Sequence, residues 1–170
     1  MTRLNYSFWR RHLATHVVLV HSEIHWNTGN AGRTCLAAGA TLHLIRPLGF
    51  SLDERQVKRA GLDYWEYVDP RVWPSWDAFE KKLPSLGNAY FFSSKAKRSF
   101  WDAPLGASRD VVLIFGGETT GLPTALHERY ADRFLGIPIL LPRVRSLNLS
   151  TAVALVLYEV MRQRNCRRGL

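Results

Sequence analysis

Three short segments of the chain combine glycine with small polar or charged side chains, and each has a chemical reading. In Asn27-Thr28-Gly29-Asn30-Ala31-Gly32-Arg33, Asn30 or Thr28 can cap a following helix, and Gly29 allows a tight turn into it. Arg33 then falls in the first turn of a helix expected from about residue 29 to 38. The macrodipole disfavours a cation there, so its placement points to a phosphate or a hydroxyl as ligand. Phe115-Gly116-Gly117-Glu118-Thr119-Thr120-Gly121-Leu122-Pro123 carries glycines that let backbone approach a ligand closely. It lacks the Gly-Lys-Ser/Thr ending of a Walker A loop and the G-x-G-x-x-G spacing, which argues against a nucleotide-phosphate cradle. Glu118 is either a surface residue or a group that orients a neighbouring arginine or backbone. Beyond Ile137-Pro138 comes Arg145-Ser146-Leu147-Asn148-Leu149-Ser150, where polar and apolar residues alternate. If that segment is extended, Ser146, Asn148 and Ser150 share one side. Capping the next helix needs only Asn148 or Ser150, which leaves polar groups to bond an adenosine or a ribose without a metal.

To meet, these segments must be delivered to one place by the elements around them. Residues 16–20 are short, β-branched and apolar, as in a strand buried on both faces, and residues 41–45 read as a second such strand. Ser51 or Asp53 can cap a helix to Ala60, stopped by Gly61. Residues 64–68 read as a short strand, 76–83 as a helix, 89–93 as a strand and 111–115 as the central strand. Pro123 can open a helix after the central strand, a further strand is expected over 135–140, and a long apolar helix over 149–163. Strands alternating with helices predict a mostly parallel sheet covered on both faces, with ligands at the carboxyl ends of the strands. The expected organisation is a basic arm over 1–15, one α/β domain over 16–163 and a basic tail over 164–170.

The chain has 170 residues, enough for one unstapled core, and 46% are hydrophobic. The net charge of +9 predicts attraction to a polyanion. Basic residues cluster at Lys95, Lys97 and Arg98 and at Arg143 and Arg145, beside the polar segments, which favours RNA over lipid. No secretory leader or membrane span is legible, so the cytoplasm is expected. Cys35 reads as a core residue and Cys166 as part of the tail, with no disulfide framework. His21-Ser22-Glu23-Ile24-His25 lacks the zinc-protease spacing, and its residues are expected to be solvated loop.

In order and spacing, the three polar segments resemble the motifs of the SpoU branch of the SPOUT methyltransferases. The matching residues are Asn27, Gly29, Asn30 and Arg33, then Gly116, Glu118 and Gly121, then Ser146, Asn148 and Ser150. The resemblance runs from about residue 16 to 163. It implies a single-domain α/β knot, in which a mostly parallel sheet is flanked by helices and the C-terminal chain is tucked into a trefoil knot. It also implies S-adenosylmethionine as methyl donor, S-adenosylhomocysteine as product, no metal, and a homodimer. Within that branch, Arg59-Ala60-Gly61-Leu62-Asp63-Tyr64 and Ala152-Val153 to Tyr158-Glu159 are similar to the compact tRNA wobble-position 2′-O-methyltransferases. Those enzymes act on cytidine or a modified uridine of leucine tRNAs without a separate RNA-binding domain. Gly117 and Thr120 depart from the proline and arginine usual in that group, residues 137–146 form a slightly longer stretch, and the N-terminal arm has no counterpart.

By this resemblance Phe92, Gly116, Glu118, Ile137, Ser146 and Leu147 hold the cofactor. Arg33, Asn148, Ser150 and Tyr158 form the catalytic set, and Asn27, Asn30, Arg33 and Arg145 meet the RNA. Arg33 acts either as a base or, because a guanidinium normally stays protonated, by orienting a phosphate that assists deprotonation. Tyr158 is equally readable as a half-buried packing residue. The last helix's apolar residues Val153, Val156, Leu157 and Val160 serve either the dimer or the core. Two alternatives remain. One is 2′-O-methylation of another tRNA or rRNA nucleotide. The other is a non-catalytic RNA-binding module using the basic charge with Trp9, Trp65, Trp73, Trp76 and Trp101, which leaves the polar segments without a purpose.

Overall fold

In a computed structural model of the protein, residues 13–52 and 64–166 are described. The arm through residue 12, the helix expected to run to Ala60, the Arg59–Asp63 stretch and the end of the basic tail lie outside the described residues. Six strands form one parallel sheet: β1 (Thr15–Val20), β2 (Thr41–Ile45), β3 (Arg71–Trp73), β4 (Asn88–Phe92), β5 (Val111–Gly116) and β6 (Phe134–Leu135). Their spatial order is β3-β2-β1-β5-β4-β6. Among the described residues, five α-helices accompany them: α1 (His25–Ala38), α2 (Trp65–Val68), α3 (Trp76–Glu80), α4 (Thr124–Arg129) and α5 (Leu149–Cys166).

The apolar runs form strands buried on both faces, because helices cover each side. Val17, Leu19, Leu113 and Phe115 point to the side covered by α1 and α5, where they meet Ala31, Cys35, Val153, Val156, Leu157 and Val160. Their neighbours Val18, Val20, Val112 and Ile114 point to the other side, against Trp76, Phe79, Leu83 and Leu126. The apolar stripe of α5 therefore belongs to the core, with Val153, Val156, Leu157 and Val160 almost wholly buried. Burial pushes the Cys35 thiol up to about 12, the behaviour of an inert core residue.

Four sequence expectations are corrected. Helix α1 begins at His25, not near Gly29, because Asn27 and Thr28 spend their polar groups on buried partners instead of on a cap. Residues 65–68 form a helical turn, and the strand of that region is β3. Residues 76–83 divide into α3 and a 3₁₀ turn at Leu83–Ser85. The strand expected to reach residue 140 stops at Leu135. There Gly136 turns to bond the Arg98 carbonyl and accept from the Phe100 amide, and Pro138 has no N–H for a ladder.

Strand order reverses between β1 and β5. The chain runs outward from β1 through β2 to β3 on one side, crosses to β4 on the other, steps inward to β5 beside β1, and then passes β4 to the edge at β6. Such a switch point opens a crevice beyond the strand ends. Here the crevice is framed by residues 21–24 and 117–123, which follow β1 and β5.

Candidate active site

The loop after β5 is shaped by glycine. A Cβ on Gly116 would overlap the Gly121 carbonyl carbon, so the two backbones meet at a distance no other residue allows. Gly121 itself adopts φ +69°, and its amide donates to the Gly117 carbonyl at 2.9 Å. Glu23, from the loop after β1, ties the two loops together by accepting from the Thr119 hydroxyl at 2.6 Å and the Thr119 amide at 3.2 Å. Those bonds hold its carboxyl below the ordinary value, the side-chain bond contributing most. Glu23 is thereby engaged in the loop, contrary to the solvated role expected for it.

Between these loops a directional chain of hydrogen bonds joins the three polar segments. Glu118 accepts from Asn27 Nδ2 at 2.9 Å, from the Glu23 amide at 2.8 Å and, at 3.5 Å, from the Ser22 hydroxyl. A carboxylate can only accept, so Asn27 must present its NH₂ to Glu118 and its oxygen to Asn148. Asn148 Nδ2 donates to that oxygen at 2.8 Å. Asn148 Oδ1 is left to accept from the Ser150 hydroxyl at 2.7 Å and the Ser150 amide at 2.9 Å, with Thr151 at 3.4 Å. Asn148 therefore caps α5. Of the two partners proposed for Glu118, the backbone is found and the arginine is not.

Above this chain lies a cleft of about 870 Å³. Its walls include apolar Phe92, Phe115, Leu122, Ile137 and Leu149, the backbone of residues 116–121, and the polar groups of Asn27, Glu118, Ser146 and Asn148. Lys95, His127 and Arg145 supply its basic and imidazole groups. Among the described residues, no three His, Cys, Asp or Glu side chains gather as metal ligands would.

Residues 14–158 match the model of the SpoU rRNA Methylase family. The chain belongs to that family. It is 43% identical over 155 residues to a tRNA (cytidine(34)-2′-O)-methyltransferase of Burkholderia pseudomallei, covering 90% of this chain and 97% of the relative. A structure described as giving insight into 2′-OH methylation of C/U34 on tRNA superposes with TM-score 0.82 at 43% identity, covering 91% of this chain and 99% of that one. An AdoMet-bound rRNA methyltransferase from Sinorhizobium meliloti shares the fold at TM-score 0.70 and 25% identity, over 88% of this chain and 56% of that one. This SpoU chain is thus a methyltransferase, in a family whose members use S-adenosylmethionine.

Against the SpoU expectations, nine of the named residues line one cleft: Asn27, Phe92, Gly116, Glu118, Ile137, Arg145, Ser146, Leu147 and Asn148. Ser150 is one hydrogen bond away, through Asn148. Asn30 and Arg33 on α1 and Tyr158 on α5 are exposed and outside that lining. With α1 starting at His25, Arg33 is two turns into the helix, so the macrodipole argument for it lapses. Its guanidinium instead lies 4.2 Å over the ring of Tyr64, whose hydroxyl donates to the Gly29 carbonyl at 3.2 Å. Ser22, Glu23, Thr119 and Tyr64 were not anticipated in the site. Tyr64 stood in the quoted Arg59–Tyr64 motif, but no spacing rule links it to α1.

Proposed function

We propose that this protein methylates the ribose 2′-hydroxyl of the wobble nucleotide of tRNA, cytidine or uridine at position 34, in leucine tRNAs of the cytoplasm. The observation that carries this is the hydrogen-bonded chain Ser150–Asn148–Asn27–Glu118 beneath the switch-point cleft. A passive RNA-binding surface gives no reason for that arrangement. The target nucleotide comes from what the relatives are named for. The proposal includes one domain over 16–163 with a basic arm and tail, and the trefoil knot of the family.

The cleft suits S-adenosylmethionine: apolar Phe92, Ile137 and Leu149 offer surface to a purine, while peptide groups and small hydroxyls offer partners to a ribose and an amino acid. When bound, that cofactor supplies an electrophilic sulfonium methyl group. Backbone at Gly116, Ile137 and Leu147 would hold it with Phe92 and the Ser146 hydroxyl, while Glu118 keeps Asn27 and the loop after β1 in place. That methyl group would pass to the ribose 2′-oxygen as the hydroxyl proton departs, leaving S-adenosylhomocysteine as product. Alignment is the main task, and Asn148, Ser150, Asn27 and Arg145 sit where the ribose and its phosphates would lie. Arg33 orients a phosphate oxygen that takes the proton, with Asn30 and Tyr158 beside the RNA. Since those three lie outside the lining of their own cleft, the active species is a homodimer. In it, α1 and α5 of one copy complete the site of the other, burying exposed Trp26 and Leu155.

The test is nucleoside mass spectrometry of unmodified tRNA treated with the protein and S-adenosylmethionine, mapped by position. A 2′-O-methylated pyrimidine at the wobble position is expected. Arg33→Ala should keep S-adenosylhomocysteine affinity and lose about a hundredfold or more in turnover. Methylation elsewhere replaces the target nucleotide. No methylation of any tRNA, with cofactor bound, overturns the substrate, and no thermal shift with either cofactor form leaves only the RNA-binding alternative.

A further inference from the structure

Beside the cofactor cleft lies a second hollow of about 390 Å³, lined by Lys95, Lys97, Arg98, His127, Asp132 and Phe134 with two alanines. Lys95 and His127 line both hollows and so form a shared rim between them. The segment carrying the three cations follows the end of β4 and is pinned as a rigid loop. The Arg98 carbonyl accepts from the Gly136 amide at 2.8 Å, and the Phe100 amide donates to the Gly136 carbonyl at 3.0 Å. Its floor is the stacked pair of His127 and Phe134, with centroids 4.0 Å apart. Partial burial, and then the charge of Lys95, keep the His127 imidazole below its ordinary value, so it is neutral near pH 7 and the lysines and arginine carry the charge. Among the described residues the ion pairs are Arg129–Glu80 and Arg162–Glu159, and neither uses these cations. One carboxylate, Asp132, faces three cations.

We propose that this groove binds the phosphate backbone of the substrate RNA next to the nucleotide in the cleft, through Lys95, Lys97 and Arg98. This rests on the proposed action on RNA. Two features favour a polyanion over a small anion. Lys95, Lys97 and Arg98 succeed one another along one exposed loop segment, and Lys95 borders both this hollow and the cleft where the reacting nucleotide must sit. Lysine and arginine on exposed stems track a backbone without reading bases, so the groove contributes affinity and register but no sequence preference.

The experiment compares K97A/R98A with K81A/K82A by fluorescence anisotropy of tRNA binding across a salt series, with methylation and S-adenosylhomocysteine binding measured in parallel. Lys81 and Lys82 are exposed on the approach to β4, at the opposite end of that strand, so the second variant removes equal charge remote from the groove. K97A/R98A should weaken tRNA binding roughly tenfold at low salt and reduce the slope of log affinity against log salt by about one to two. S-adenosylhomocysteine affinity, melting temperature and turnover at saturating tRNA should be unchanged. K81A/K82A should leave the slope near that of the unaltered protein. Equal effects of the two variants would overturn the groove in favour of diffuse charge attraction. Loss of S-adenosylhomocysteine affinity with an unchanged RNA slope would overturn it in favour of a cofactor contact. If the unaltered protein binds tRNA with a steep salt slope yet methylates none, the groove stands and the assigned reaction falls.

Discussion

Glu118 shows how one side chain sets the direction of several others. Being acceptor-only, it orients Asn27, which orients Asn148, which caps α5 and holds the Ser150 hydroxyl. Glu118→Gln turns one of the two carboxylate oxygens into an NH₂, which must then face either Asn27 Nδ2, the donor to Oε1, or the Glu23 amide, the donor to Oε2. An unmatched donor in this partly buried setting should cost about 1–3 kcal/mol in urea unfolding. Turnover should fall with it, because Asn148 loses its fixed orientation; unchanged turnover and stability would show the chain of bonds to be incidental. The polar types at these positions were legible from the sequence, but their order of donation was not. Nothing in sequence spacing says that Asn27 and Asn148, 121 positions apart, touch. Arg33 teaches the converse. The helix starts earlier than the polar run implied, so Arg33 lies two turns inside it, away from the N-terminal end of the macrodipole.

Elements were most legible where burial is two-sided. Residues 41–45 and the strand over 111–115 match β2 and β5 closely, since an apolar β-branched run has no other favourable place than a covered parallel sheet. Short exposed elements were not legible. β3 has two exposed residues, Arg71 and Val72, before half-buried Trp73, and it exists because β2 offers it an edge, not through its own propensity. The loop after β5 gives a test at this scale. Gly116→Ala must push the end of β5 away from Gly121, because its Cβ would overlap backbone. We expect destabilisation of about 1–3 kcal/mol and loss of S-adenosylhomocysteine binding in calorimetry. Gly39→Ala is the matched control: at φ +68° it carries backbone strain, but nothing lies within 4 Å of the added carbon. It should cost about 1 kcal/mol and leave cofactor binding intact. Equal binding by both variants would show that the Gly116–Gly121 approach does not shape the cleft.

At the scale of the whole molecule, the sheet holds a buried pair of histidines away from the cleft. Trp73 Nε1 donates to His43 Nδ1 at 3.1 Å, so His43 carries its proton on Nε2 and donates it to His16 Nδ1 at 3.0 Å. Burial first, then His16 and Arg71, push His43 down to about 3, and burial with Arg71 lowers His16. Both are neutral in the fold and protonate in the unfolded chain near pH 6.5. Stability is therefore full above that value and declines as pH falls, by about 1.4 kcal/mol per unit for each group. For His43 the decline continues towards pH 3. Urea midpoints at pH 7.5, 6 and 5 should fall steadily, and His43→Leu should flatten the trend. A flat profile in the unaltered protein would mean that the pair does not govern acid stability.

The sequence by itself determined the class of fold, the two-sided burial of the main strands, the basic character and the residue types of the three polar segments. Each of these follows from local composition and periodicity, which bear on neighbours a few positions apart. Only the tertiary structure decided that the polar segments share one cleft at the reversal between β1 and β5. It alone showed that Glu23 and Thr119 join the loops, that Arg33 rests on Tyr64, and that Lys95 and His127 bridge two hollows. Those are contacts between positions distant in sequence. Strand order and backbone closure bring them together, and neither is written in any single segment.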